Sequence, residues 1–103
     1  MSSFELSPRA DARLDEIYEY GLSHWGEDRA VRYLDDLFDC FEKIALGQVS
    51  SHPIPAEFGV DGYYRHQGRH FIYWKHLANG SVGIVTILHD SMHQRDRFQE
   101  DSA

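Results

Sequence analysis

A single α+β domain, in which a helical hairpin covers one face of a mostly antiparallel sheet, follows from three features of the sequence. The first half repeats its apolar residues at helical spacing, and the second half carries them in strand-like runs. One loop marked by proline and glycine separates the two regimes. At 103 residues the chain has room for one domain, and its 42% hydrophobic and 14% aromatic content suits a packed core. The domain is read as residues 1–103, with a polar tail from about residue 99.

Phe4 and Leu6 alternate with polar neighbours, as in a short half-buried strand. Ser7 and Pro8 then form a helix start: a capping hydroxyl, followed by a proline whose missing N–H costs nothing in the first turn. Leu14, Ile17, Tyr18, Leu22 and Trp25 make one apolar stripe, on which Gly21 allows another backbone to come close. Gly26 breaks this helix, and Glu27 and Asp28 suit the positive end of a second one. Ala30, Leu34, Leu37, Phe38, Phe41, Ile44 and Ala45 repeat the stripe, and Gly47 is the expected terminator. So short a connection implies an antiparallel hairpin. Residues 48–62 read as loop, with Pro53, Pro55, Gly59 and Gly62.

Three strands are predicted after it, at 63–67, 69–77 and 81–89, with Gln67-Gly68 and Asn79-Gly80 as the turn dipeptides. A two-residue turn at Asn79-Gly80 pairs Tyr73 with Thr86, Phe71 with Leu88 and Lys75 with Ile84. On the other face it pairs Ile72 with Ile87, Trp74 with Val85 and His70 with His89. A two-residue turn at Gln67-Gly68 would set Arg65 beside His70, so that Arg65, His70 and His89 line one row.

Several function classes are excluded at this level. No apolar run approaches the roughly 20 residues that span a bilayer, and residues 1–8 lack a basic start and an apolar signal core, so a cytoplasmic protein is expected. Cys40 is the only cysteine, which removes internal disulfides and cysteine-based zinc cages; it is read as a small buried residue. No cofactor is implied. With 17 acidic against 10 basic residues, the formal charge of −7 argues against coating of nucleic acid.

The row of Arg65, His70 and His89 admits four readings, of which contact with a partner is one. Histidines that titrate near neutrality beside an arginine suit acid–base work on a phosphodiester. Two histidines also supply part of a metal site, with no acidic third ligand evident. The simplest reading is structural, as sheet-face residues bonded to nearby backbone.

The run HFIYWKHLANGSVGIVTILHDSMHQRDRF resembles the C-terminal half of ParE-type toxins in the RelE/ParE superfamily. LSPRADARLDEIYEYGLSHWGEDRAVRYLDDLF is similar to that family's first two helices, including the Trp25-Gly26 corner. The resemblance extends over residues 4–98 and implies the RelE/ParE-like fold and a toxin of a type II toxin–antitoxin module. It implies growth arrest, a role in plasmid stabilisation, and a cognate ParD-like antitoxin as partner. The ParE branch is associated with inhibition of DNA gyrase, the expected target here. The RelE branch cleaves mRNA on the ribosome, which is the alternative, and a degenerate non-toxic binding module is a third. A gyrase poison works by binding and needs no active site, so enzyme activity is not expected; as an enzyme the chain would be an endoribonuclease. Direct sequence-specific binding to nucleic acid is not expected.

The positions matching the family pattern are His70, Tyr73, Ile87, Leu88, His89 and Met92. The candidates for target or partner contact are Arg65, His70, Tyr73, His89, Met92, His93 and Arg95. Ser91 and His93 stand where ParE members usually carry arginine and aspartate. The mRNA-cleaving alternative draws on Arg65, Arg69, His89, His93, Arg95 and Arg97 to hold a phosphate. The antitoxin is expected to lay regularly spaced Leu, Ile or Phe residues against exposed apolar parts of the hairpin or along a sheet edge.

Charge divides along the chain. Residues 1–50 hold eleven acids against five bases, whereas residues 63–98 hold five bases, two acids and five of the seven histidines. The sheet half is where a basic surface is expected.

Overall fold

The computed structural model describes residues 3–102, so the outermost residues of the 1–103 domain reading lie outside the described residues. Strand β1 (Phe4–Leu6) leads into helix α1 (Pro8–His24), followed by α2 (Glu27–Ala45). The sheet continues with β2 (His52–Pro53), β3 (Tyr63–Gln67), β4 (His70–His76) and β5 (Val82–His89), and helix α3 (Gln94–Ser102) ends the described chain. The five strands lie in the order β1-β5-β4-β3-β2, antiparallel throughout except for the parallel β1/β5 pair.

The expected caps are present. Ser7 Oγ accepts the Ala10 N–H at 2.9 Å, with Pro8 in the first helical position. At the end of α2, Gly47 has φ +71°, its N–H bonds the Ile44 carbonyl, and the Gln48 N–H reaches back to Lys43. This is a Schellman ending, which satisfies two otherwise orphaned carbonyls. A Cβ at Gly21 would sit 2.8 Å from that of Ala30, so the glycine is what lets the two helices close. The buried stripe of α1 is Ala10, Leu14, Ile17 and Gly21, while Leu22 is exposed. In α2 the buried set is Ala30, Leu37, Cys40, Phe41 and Ile44, with Phe38 turned partly to solvent. Cys40 is buried as expected, and burial pushes its thiol pKa up.

Two turns differ from the sequence reading, with unequal consequences. The β3–β4 turn has Gly68 and Arg69 at its centre, so Gln67 pairs with His70 and Arg65 pairs with Ile72. Gly68 has φ +60° and no non-glycine residue among those described has positive φ, the pattern of a II′ hairpin turn. The row placing Arg65 beside His70 is therefore wrong by two residues. The β4–β5 turn contains one residue more than the two expected: the Leu77 N–H bonds the Ser81 carbonyl across Ala78, Asn79 and Gly80. A β-bulge at Val85 then puts one extra residue into β5. The two offsets cancel beyond the bulge, so Tyr73/Thr86, Ile72/Ile87, Phe71/Leu88 and His70/His89 pair as predicted. Between turn and bulge they do not: Trp74 faces Ile84 and Lys75 faces Gly83.

The bulge also reverses the parity of β5. Val82 and Ile84 before it, and Ile87 after it, all join the core under the helical hairpin with Ile72, Trp74, Leu37 and Phe41. The opposite face is covered too, contrary to the expectation of one covered face and a polar tail. There Phe98 of α3 is fully buried against Ile54, Phe58, Tyr73 and Leu88. Helix α3 escaped the sequence reading because Phe98 is its one large apolar residue, so no periodic stripe exists.

Asp101 near the end of α3 has a side chain only 2% exposed, and it gathers three elements. Arg13 of α1 meets it through two hydrogen bonds, at 2.9 and 3.1 Å, and Thr86 of β5 donates at 2.7 Å. Arg9 adds a longer contact at 3.4 Å. The carboxylate raises the pKa of the Arg13 guanidinium further above its ordinary value. Removing the carboxylate strands a largely buried guanidinium, so Asp101→Ala is expected to cost about 3 kcal/mol. A urea denaturation midpoint for D101A equal to that of the native chain would refute that role.

Candidate functional site

At one end of the sheet the α1–α2 corner, the β3–β4 turn and the end of β5 converge. The close contact of Gly21 with Ala30 brings Trp25 edge-on to Tyr33, with ring centroids 5.6 Å apart. Tyr33 is the centre of the hydrogen bonding here. Its hydroxyl accepts the Arg69 N–H at 3.0 Å and lies 2.6 Å from His70 Nδ1. A Cβ at position 68 would meet that hydroxyl at 2.8 Å, so glycine is required both by the turn and by the tyrosine. Burial pushes the Tyr33 pKa up.

His70 and His89 pair across β4 and β5, their rings perpendicular with centroids 5.2 Å apart. His70 is 6% exposed. Burial, and then the nearby His89, push its pKa down to about 4, so the imidazole is neutral near pH 7. The other acceptor near the Tyr33 hydroxyl, the Gln67 carbonyl, is 3.5 Å away. Tyr33 therefore donates to His70 Nδ1, leaving the proton of His70 on Nε2. Half-buried His89 has Nδ1 2.7 Å from Ser91 Oγ and accepts the Ser91 N–H at 3.1 Å. Asp90 lies alongside, 3.5 Å from His89 and 3.2 Å from His66.

The sequence candidates are dispersed by this geometry. His70, His89 and Met92 line one groove of about 710 Å³ between the hairpin and the sheet end. Arg65 does not. It faces the middle of α2, donates to the Ser50 carbonyl at 3.2 Å and to Ser50 Oγ at 3.1 Å, and so anchors the loop after that helix. Tyr73, offered as a contact residue, is 2% exposed on the opposite face, where it donates to Gln94 Oε1 at 2.8 Å. Burial raises its pKa. Its role is packing beneath α3, because strand alternation places it opposite to His70. His93 and Arg95 are exposed around the start of α3, His93 with Asp96 at 3.0 Å and Arg95 with the same residue at 3.8 Å. Among the described residues no group of three ligating side chains gathers in a way that would hold a metal.

The groove also contains residues that the sequence reading did not single out as site residues: Trp25, Arg29, Arg32 and Tyr33, together with Arg69, which it named only for phosphate binding. A signal for Tyr33 did exist, since Ala30, Tyr33 and Leu37 follow the three-and-four spacing of the buried α2 face. Its contact with β4 depends on the hairpin angle and was not legible. Arg29 lies over the Trp25 ring at 5.5 Å.

A buried neutral histidine has a consequence for stability. Its folded pKa of about 4 lies below the ordinary value of 6.5, so between these values the unfolded chain binds the additional proton. The stability this burial permits is complete above pH 6.5 and is lost as pH falls toward 4, with a slope of at most about 1.4 kcal/mol per pH unit. His70→Gln is expected to flatten the native chain's stability–pH curve in that window. Nitrogen NMR showing protonation of His70 already at pH 6 would contradict the assignment.

Against known proteins, the family model described as the ParE toxin of the type II toxin–antitoxin system parDE matches residues 4–94. Toxin ParE1 of Caulobacter vibrioides is 34% identical over 100 residues, covering 92% of this chain and 96% of that protein. Toxin ParE1 of Mycobacterium tuberculosis is 29% identical over 96 residues, covering 88% and 92%. The solved chromosomal ParDE toxin–antitoxin system from P. aeruginosa superposes with a TM-score of 0.68 over 86% of this chain and 96% of that one. At 17% identity that likeness concerns the fold, the same hairpin-on-sheet arrangement. The match along most of its length and the 34% identical relative show that the chain belongs to the ParE toxin family of type II toxin–antitoxin systems.

Proposed function

We propose that this ParE-family toxin is held by a ParD-like antitoxin in the cytoplasm and, when released, inhibits DNA gyrase by binding to it. The solved relative described as a ParDE system supports the antitoxin. Exposed Leu22, Val31 and Phe38 offer apolar hairpin surface for it. The observation that carries the non-catalytic reading is the burial of His70. It is 6% exposed, its pKa is pushed down to about 4, and Tyr33 holds its Nδ1. General acid–base catalysis is served best by a group that substrate can reach and whose pKa lies near the working pH. His70 meets neither condition and Arg65 is occupied by Ser50, so this constellation is better suited to shaping a surface.

One observation favours the mRNA-cleaving alternative: Arg69 and His89 share the groove rim. The two readings differ in what His89→Ala does. In a gyrase supercoiling reaction, purified toxin is expected to abolish supercoiling or accumulate cleaved DNA, and H89A to retain that effect within about threefold. Loss of a general acid or base would instead cost about 10²–10⁴-fold. Cleavage of mRNA on translating ribosomes, abolished in H89A, would replace the gyrase reading. Inactivity in both assays, with no growth arrest on expression, would leave a binding module.

A further inference from the structure

Helix α3 is fastened differently from the other two. Apolar stripes hold the hairpin, but α3 meets the rest of the fold through Gln94, Phe98 and Asp101, whose i, i+4, i+7 spacing puts them on one face. Its remaining ion pairs lie within the helix and the turn before it: His93 and Arg95 with Asp96, and Arg97 with Glu100. Phe98 supplies the apolar contact, fully buried against Ile54, Phe58, Tyr73 and Leu88. Gln94 fixes the beginning of the helix. Its Nε2 donates to the His89 and Met92 carbonyls at 2.8 and 3.0 Å, and its Oε1 accepts from the Tyr73 hydroxyl. Asp101 fixes the end.

The clasp at Asp101 closes around a gap in the sheet. Among the described residues β1 pairs with β5 only as far as Ile84, so from Val85 onward β5 has no strand on that side. Arg13 of α1 and Asp101 of α3 meet across this open edge beside Thr86, and so tie together the layers on the two sheet faces. Such a clasp is all-or-none. Withdrawing Asp101 while Phe98 stays seated would strand Arg13, whose side chain is 11% exposed, and a buried charge without its partner is the costly state. With the whole helix away, water reaches both charges, and Arg13 keeps Glu16 on its own helix at 3.3 Å. A nine-residue helix is too short to persist without the surface it docks on. Two states are therefore favourable, docked or released with its turns melted.

We propose that α3 is a strap that releases as one unit, pivoting at Gln94 while the hairpin and sheet stay folded, and that its release uncovers an apolar sheet face. The uncovered residues are Phe58, Tyr73 and Leu88, continuous with half-buried Tyr64, Phe71 and Met92. The hairpin core does not depend on the strap, because Ile72, Trp74, Ile84 and Ile87 pack with Leu37 and Phe41 on the other side of the sheet. A segment joined to the fold by one apolar anchor and two polar ones opens well below the free energy of global unfolding. The strap makes exposure of this second face conditional, and the Arg13–Asp101 clasp sets how often it occurs.

Native-state hydrogen exchange of the full chain, followed by NMR at several urea concentrations below the unfolding transition, tests the strap. The helical amides of α3 from Arg97 onward are expected to share one opening equilibrium. That opening should be about 100-fold or more above the global one reported by core amides such as those of Leu37 and Phe41, with a shallower urea dependence. Asp101→Ala is expected to speed α3 exchange about 100-fold, and Arg13→Gln to act in the same direction. The double variant should fall short of the product of the two single effects, because both act on one clasp. Exchange of α3 that coincides with the core amides in rate and urea slope would mean that it leaves only on global unfolding, and overturns the proposal. Exchange graded residue by residue from Ser102 inward would be fraying, and overturns it equally. If the clasp variants do not fold, the urea series on the native chain still decides between these outcomes.

Discussion

The extra residue at Val85 is the constraint on which the other elements depend. β5 lies between β1 and β4, and both α1 and α3 pack on it. A regular strand from Val82 to His89 would put Val82, Ile84, Thr86 and Leu88 on one face. With the bulge, Val82, Ile84 and Ile87 serve the hairpin core, while Thr86 and Leu88 serve the α3 side. The backbone released by the bulge does not stay unpaired. Ser7 Oγ donates to the Val85 carbonyl at 2.6 Å, and the Ser7 N–H bonds that of Ile84 at 3.1 Å. One serine thus caps α1, ends the β1 pairing and closes the bulge. The start of the hairpin is fixed to the same point where the central strand changes face.

That arrangement explains which parts of the fold were legible in the sequence. Elements that depend on local chemistry were readable: the Ser7-Pro8 start, the Gly47 stop, the two amphipathic helices and three strands within a residue or so of their limits. The predicted pairs beyond Tyr73 hold for a reason the sequence does not display. A longer turn and a bulge offset one another, and neither Ala78 nor Val85 signals it by residue type. Arg65 was misplaced because Gln67-Gly68 and Gly68-Arg69 are both acceptable turn centres, and the choice rests on Tyr33 packing against Gly68 from another element. Helix α3 depends on Phe98 and Asp101, two residues whose value comes wholly from what waits on the sheet. The site followed the same rule. The histidines were found because they share a register, whereas Trp25, Arg29 and Tyr33 join them only through the hairpin angle.

The two sheet faces have different tasks. Under α3 the polar groups are consumed within the protein: Asp101 by Arg13 and Thr86, Tyr73 by Gln94. At the hairpin end Tyr33 and His70 bond one another, but Arg29, Arg32 and Arg69 around them have no carboxylate within ion-pair distance among the described residues. This contrast is informative because an ion pair on a surface contributes little to stability, so fold stability gives no reason to collect three arginines there. The acidic total of the chain conceals it. The carboxylates lie mostly on the wet faces of the helices, and the groove is set between those faces and the sheet.

In the turn after β5 the Ser91 hydroxyl and amide hold His89 Nδ1, and the Met92 N–H bonds the His89 carbonyl at 3.0 Å. Positive charge at the groove comes from α2, through Arg29 and Arg32, and from the β3–β4 turn, through Arg69. All three sit on backbone fixed by the Tyr33 contacts with Gly68, Arg69 and His70. Arginines on α2 keep the spacing of the helix, and Arg69 is held by the tight hairpin. The close approach of Gly21 to Ala30, which sets the hairpin angle, therefore also sets where this charge stands relative to the end of the sheet.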